Sequence, residues 1–440
     1  MLIVRNATLP DGRVREVRVD QETGRIEDVA RSVPDDDASA ETIDATGKRL
    51  FPGMIDVHVH FREPGFPHKE TWATGSRSAA AGGVTTVVDQ PNTDPPTVTG
   101  EAFDEKLGFA RESVVDFGIN GGVTPDWDPD SLLARPLFAL GEVFLADSTG
   151  EMGIGADLFA DAARRAAAFD LPVTVHAEDA TLFDESARER DDADAWSAYR
   201  TAEAERVAVE RAVEVGGETG AQVHVAHTST PEGVDAAAAG GATCEVTPHH
   251  LLCSRDDLDD LGTFGRMNPP LRSEARREAV YERVADGTVD VVATDHAPHT
   301  REEKDASIWE APSGVPGVET ALPLLLYEAR EGRLSYERVR DLVAANPARI
   351  FTLPRKGRIE PGRDADLVLV DPDGVREIRG ADLHAACGWT PFEGRPGVFP
   401  EWTMLGGRVV YADDDAALPA GVAPDGAFDD DARGENVRGP

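Results

Sequence analysis

The sequence predicts a closed (β/α)8 barrel carrying a small β-sandwich domain built from its N- and C-terminal segments. Eight short apolar, β-branched runs alternate with alanine-rich helical stretches between residues 51 and 354, the pattern of a parallel sheet covered on both faces. Strand-like alternation broken by glycines fills residues 1–50 and returns at 355–412. No GxGxxG-type turn follows the first apolar run, which argues against a doubly wound open sheet. The 440 residues exceed a barrel of typically ~250, so a second unit is expected.

In chain order, "MLIVRNATL", "VREVRVD" and "GRIEDVA" read as the first strands of the small domain, which breaks off at the acidic loop "PDDDASAE". The barrel strands are expected at 54–60, 84–89, 114–119, 137–145, 172–176, 222–227, 243–247 and 289–294. Between them lie helical stretches such as "ADLFADAARRAAAF" and "AYRTAEAERVAVERAVEVG". The polar segment 300–314, interrupted by Pro312 and Gly314, has the make-up of a mobile lid or a solvated loop. "KGRIEPGRDADLVLVDPD" and "EWTMLGGRVVYADD" complete the small domain, and the acidic tail 413–440 is expected to be disordered.

Acidic residues number 82 against 44 basic ones, a formal net charge of -38. Such a field repels nucleic acid and anionic membranes, and excludes them as main partners. Only five bases are lysine (Lys48, Lys69, Lys106, Lys304, Lys356), a composition suited to concentrated salt. There the Debye length falls to roughly 3 Å at 1 M and self-repulsion is screened. Cys244, Cys253 and Cys387 form neither a ligand-spaced cluster nor a disulfide framework. With no signal-peptide pattern and no apolar run near ~20 residues, a cytoplasmic protein is expected.

The chemistry lies at the carboxyl ends of the expected strands, where barrels of this kind carry their active sites. Strand 1 ends in His58, His60 and Arg62, strand 2 leads to Asn92, and strand 4 contains Glu142. Strands 5 and 6 end in His176 and His227, strand 7 leads to Asn268, and strand 8 ends in Asp295, followed by His299. His58 and His60, two apart on a strand, face one side. A glutamate in an apolar strand is costly unless paired, so Glu142 points to function. Four histidines and two carboxylates without a thiolate suit zinc, and six donors fit two ions sharing a bridging carboxylate.

"DVHVHFREPG", with Asn92, "TDHAPH" and "MNPPLR", resembles the dihydroorotase branch of the amidohydrolase superfamily over residues 1 to about 412. The resemblance implies two Zn2+ per subunit: His58, His60 and Asp295 on the first, His176 and His227 on the second, and Glu142 bridging both. Asp295 would also be general base and acid. The substrate carboxylate would meet Arg62, Asn92 and His299, and its ring Asn268 and the backbone at Ser313 and Gly314; His60 also borders the substrate. Many relatives bridge their metals with a carboxylated lysine or an aspartate. Here Glu142 in "EVFLAD" stands in the lysine's place, with Asp147 as the rival bridge. His224 is read as packing, and His249, His250 and His296 as structural or supporting. The implied reaction is reversible closure of N-carbamoyl-L-aspartate to L-dihydroorotate in pyrimidine synthesis. Allantoinase or dihydropyrimidinase-like hydrolysis is the alternative, and a metal-free scaffold would have lost several ligands. A homo-oligomer, association with aspartate carbamoyltransferase and a halophilic archaeal source complete the expectation.

Overall fold

The computed structural model describes all residues except 35–39, 149–151, 415, 420, 425 and 440. Eight parallel strands occupy Met54–Val59, Val84–Asp89, Asp116–Ile119, Leu140–Phe144, Val173–His176, Val223–Val225, Thr243–Val246 and Val291–Val292, hereafter strands 1 to 8. Strands 1–3 form one ladder and strands 4–8 another. Bridges Gly121↔Leu140 and Val59↔His296 join the two ladders into a ring, so the sheet closes as a barrel. All eight expected strands are present, but the last is short. Asp295 takes a left-handed φ of 46°, which turns the chain out of the ladder just past Thr294.

The strands are buried on both faces, which explains their near-continuous apolar composition. The covering helices carry their own stop and start signals. Trp72–Ala81 begins with a capping box between Thr71 and Thr74. Ala202–Thr219 starts at the Thr201 cap and ends at Gly220, whose φ of 76° favours glycine.

The two ends of the chain share one sheet. Leu367–Glu377 pairs with Arg49–Pro52, which lies next to Leu2–Thr8 along the strand order. Residues from opposite ends of that order, Val17 and Val19 against Trp402 and Met404, share one core, so the sheet wraps over its own apolar face. No helix among the described residues is long and apolar enough to cross a membrane.

Two expectations are corrected. The segment 300–314 is pinned, not a free lid. It contains a helix, Arg301–Lys304, and the buried Lys304 ammonium donates to the carbonyls of Arg266 (3.0 Å), Pro312 (2.9 Å) and Gly314 (3.1 Å). The disorder expected of the tail is likewise not what the described residues display. Phe428 packs on Tyr411 and His384, with ring centroids 5.2 and 4.9 Å apart. Asn436 runs parallel to strand 3: Phe117 N donates to Glu435 O and Val437 N to Phe117 O, both at 2.9 Å. The fit requires Gly434, where a Cβ would lie 1.8 Å from Val115 O. Arg438 then donates to the carbonyls of Phe138 (3.2 Å) and Phe351 (2.7 Å), and its guanidinium lies 4.8 Å from the Phe138 ring centre. A few apolar and arginine anchors outweigh the acidic average of this stretch.

Arg438→Ala is expected to cost about 2 kcal/mol through the lost charged hydrogen bonds and ring contact. Faster amide exchange at residues 113–119, together with a lower melting temperature, would report it; unchanged exchange would mean that the stretch is not docked in solution.

Candidate metal and substrate site

The ends of strands 1, 4, 5, 6 and 8 bring the six expected donors together. Glu142 is at the centre, 2 % exposed. Its Oε1 lies 2.6 Å from His227 Nε2 and 3.0 Å from His176 Nδ1, while Oε2 lies 3.4 Å from His58 Nε2. Asp295 Oδ1 is 2.9 Å from His60 Nε2 and 3.6 Å from His58 Nε2. The donors form two groups able to hold metal ions, His58–His60–Glu142 and Glu142–His176–His227, with Glu142 in both. His58 Nε2 is buried with no hydrogen-bond partner although it faces this centre, as a ligand atom would. The set is imidazole and carboxylate throughout, which suits zinc. Asp147, the rival to Glu142, is exposed and accepts from Gly153 N (2.7 Å) away from the histidines.

Charge compensation explains the protonation pattern. Burial pushes the His58 and His176 imidazoles down, but Glu245 and Glu142 beside His58, and Glu142 and Glu178 beside His176, more than reverse this. His58 ends well above the ordinary range and His176 at about 9. Burial raises Glu142 and Asp295, yet the surrounding histidines hold both far below the carboxylate range. His58 and His176 thus carry protons in the metal-free protein, and binding an ion there must release them.

The supporting residues were not singled out from the sequence. Glu245 on strand 7 accepts from His58 Nδ1 (2.6 Å) and from the His227 amide (3.2 Å), so one carboxylate braces a ligand from each group. Its second oxygen takes His224 Nε2 (3.2 Å), so His224, expected merely to pack, belongs to this brace. Glu178 accepts from His176 Nε2 (2.9 Å) and is clamped by Arg200, leaving Nδ1 for the centre. Gln90 Oε1 accepts the Glu142 amide (3.0 Å). Asp56 ties strand 1 to strand 8 by accepting from Thr294 N (3.0 Å) and Oγ1 (2.6 Å). A signal existed for Glu245 and Asp56: each is a carboxylate inside an apolar strand, the argument that singled out Glu142. His250 bonds to Thr247 and Pro269, His296 accepts from the amides of Gly317 and Val318, and burial holds His249 down at about 4. All three thus lie outside the two donor groups.

One pocket opens onto this centre. Its lining includes His60, Arg62, Asn92, Glu142, His176, His227, Asn268, Asp295, Ser313 and Gly314, joined by Phe144, Ser148 and Ala297, which the sequence had not indicated. His58 and His299 are buried and are not among the lining residues. His60 Nδ1–H donates to Asn92 Oδ1 (2.7 Å), which leaves the Asn92 NH2 for a ligand. Trp196 Nε1 donates to Asn268 Oδ1 (2.9 Å) and Asn268 Nδ2 to Ser148 Oγ (3.0 Å), fixing that amide too. At Gly314, φ is 132° and a Cβ would sit 2.6 Å from Ala297 O, so only glycine lets the backbone line the pocket. Arg62, His227 and Asp295 all take left-handed φ values of 66°, 32° and 46°. Each costs of order 1–3 kcal/mol, and such strain tends to collect at functional sites.

A model of the amidohydrolase family matches residues 49–410, the whole barrel and nearly all of the C-terminal part of the small domain. The chain belongs to the amidohydrolase family. Among its relatives, a dihydroorotase from Halobacterium salinarum is 67 % identical over 442 residues, covering 100 % of both chains. A dihydroorotase from Methanosarcina acetivorans is 44 % identical over 395 residues, 86 % of this chain and 85 % of that one. In structure, this amidohydrolase is similar to the L-hydantoinase (dihydropyrimidinase) of Arthrobacter aurescens, with a TM-score of 0.89 and 29 % identity. That match covers 95 % of this chain and 97 % of the other.

Because Glu142 touches both groups, Glu142→Ala is expected to lower bound metal by elemental analysis, whereas Asp147→Ala leaves it unchanged. Glu245→Ala should weaken retention against a chelator by roughly 10–100-fold. Full retention would mean that the Glu245 brace does not act on the metal.

Proposed function

We propose that this amidohydrolase is a dihydroorotase, closing N-carbamoyl-L-aspartate to L-dihydroorotate and reopening the ring. One observation carries the choice among cyclic amides. Arg62 is 4 % exposed at the pocket wall and forms no ion pair among the described residues, its Nε donating only to Pro298 O (3.2 Å). Burial lowers this guanidinium to about 10, and an unpaired buried cation costs several kcal/mol. A ring carboxylate placed there recovers that cost through a two-pronged contact, and hydantoin and allantoin lack such a carboxylate. The identity to the Halobacterium salinarum dihydroorotase over the full chain supports the same reading.

In this reading His58, His60 and Asp295 would hold one zinc ion and His176 and His227 the other, with Glu142 common to both donor groups. The ions, when bound, supply an activated water and polarise the ring carbonyl. Arg62 and the Asn92 amide hold the substrate carboxylate, with His299 beside Arg62, while Asn268 and the backbone at Ser313 and Gly314 orient the ring. Asp295 takes the proton from the attacking water at its carboxylate and returns it to the departing ring nitrogen. Its anionic form is ready at neutral pH, because the neighbouring histidines keep it deprotonated. The ring-closing direction uses the same groups in reverse.

Purified protein in molar salt is expected to hydrolyse dihydroorotate, with allantoin and hydantoin left intact. Turnover of allantoin but not dihydroorotate would overturn the reading. Arg62→Met should lower kcat/KM by about 100-fold, equivalent to ~3 kcal/mol, with bound metal unchanged.

A further inference from the structure

Lys69 lies in the loop after strand 1 that also supplies Arg62, and its side chain is 13 % exposed. Its Nζ stands 3.2 Å from His299 Nδ1. On the other side of the same imidazole, Nε2 lies 3.0 Å from the Ser313 carbonyl oxygen. Neither partner can exchange roles. A carbonyl only accepts and an ammonium only donates, so Nε2 carries the hydrogen and Nδ1 is the bare acceptor. A doubly protonated ring would aim an N–H at the Lys69 ammonium. Arg62 Nη2, 3.2 Å from Nε2, also only donates and opposes a hydrogen there, but the Ser313 carbonyl is nearer, and together with Lys69 it satisfies two contacts in the Nε2–H form against one in the Nδ1–H form. His299 is therefore neutral in a single tautomer.

Lys69 is itself held in place. Glu303 Oε1 lies 3.0 Å from its Nζ, and Thr300 N donates to Glu303 Oε2 (3.0 Å) at the start of the short helix Arg301–Lys304. Glu303 Oε2 is also 3.8 Å from His299 Nδ1, beyond hydrogen-bond distance. Without Lys69, that carboxylate is the nearest group able to draw the proton onto Nδ1. The ring would then turn a lone pair instead of an N–H toward the Ser313 carbonyl oxygen.

We propose that Lys69 is a positioning residue for substrate recognition: it locks His299 as the Nε2–H tautomer, so that the ring holds the Ser313 carbonyl and with it the Ser313–Gly314 backbone at the pocket wall. This rests on the reading of a carboxylate-bearing ring as substrate. A buried hydrogen bond replaced by two facing acceptors is worth roughly a 10–100-fold change.

The test combines 15N-histidine NMR with kinetics. In the wild type without substrate, His299, assigned by comparison with His299→Asn, is expected to be protonated at Nε2 and bare at Nδ1. Lys69→Met should shift the ring toward Nδ1–H and raise KM for dihydroorotate about 10–100-fold while kcat stays within about threefold. Lys69→Arg, which restores a donor, should recover most of the affinity. In a His299→Ala background, Lys69→Met should add less than about twofold, because the two residues act as one. An Nδ1–H tautomer in the wild type would overturn the proposal even if no variant folds. So would an unchanged tautomer and KM in Lys69→Met, or an undiminished effect in the His299→Ala background. Failure of the wild type to turn over dihydroorotate would instead sink the substrate reading, since the tautomer is measured without substrate.

Discussion

A carboxylate buried inside an apolar strand is tolerable only if positive charge is brought to it, and Glu142 imposes that condition on the barrel mouth. Three imidazoles from strands 1, 5 and 6 approach within 3.4 Å of its oxygens. For two of them the far nitrogen is occupied, by Glu245 at His58 and by Glu178 at His176, which keeps the near one facing inward. These carboxylates need donors in turn, found in His224 and Arg200. Charge and countercharge thus alternate outward from Glu142 until the last partner reaches backbone or solvent. The left-handed turns at His227 and Asp295 fit the same picture, as strain carried where the geometry is held from several sides.

The substrate end of the pocket has the opposite electrostatic character. Arg62, Lys69 and Lys304 gather beside it in a protein whose net charge is -38. In concentrated salt the acidic surface is screened within a few ångströms of solvent, about 3 Å at 1 M, whereas buried cations are screened far less. An anionic substrate therefore meets a weakened surface repulsion outside and a nearly undiminished attraction inside.

Much of this was legible in the sequence because barrels put chemistry at predictable places. The eight strands are apolar on both faces, so their runs stand out, and the polar residue ending each run is conspicuous. Strand 8 was read too long because a turn forced at Asp295 leaves no mark in composition. The tail was misread because an average over acidic residues conceals single anchors such as Phe428 and Arg438. Glu245 carried the same signal as Glu142 but lay on a strand already assigned to its downstream Asn268. Lys69 was beyond reach, since its meaning depends on an imidazole 230 residues away. What a side chain is can be read from the sequence, but which nitrogen it faces depends on the folded chain.

The docking of residues 434–438 beside strand 3 has a consequence for how the protein is made. The barrel's base is completed by a segment synthesised more than 300 residues after the strand it accompanies, and the sheet begun at Leu2–Thr8 waits for Leu367–Glu377 to complete its order. Sequential folding behind the ribosome can form the βα units one by one, but these two seams stay open until late. During that interval, strand edges and the apolar floor around Phe138 are exposed to neighbouring chains. An acidic, self-repelling nascent chain is then an asset in its own right, keeping unfinished molecules apart until each has closed on itself.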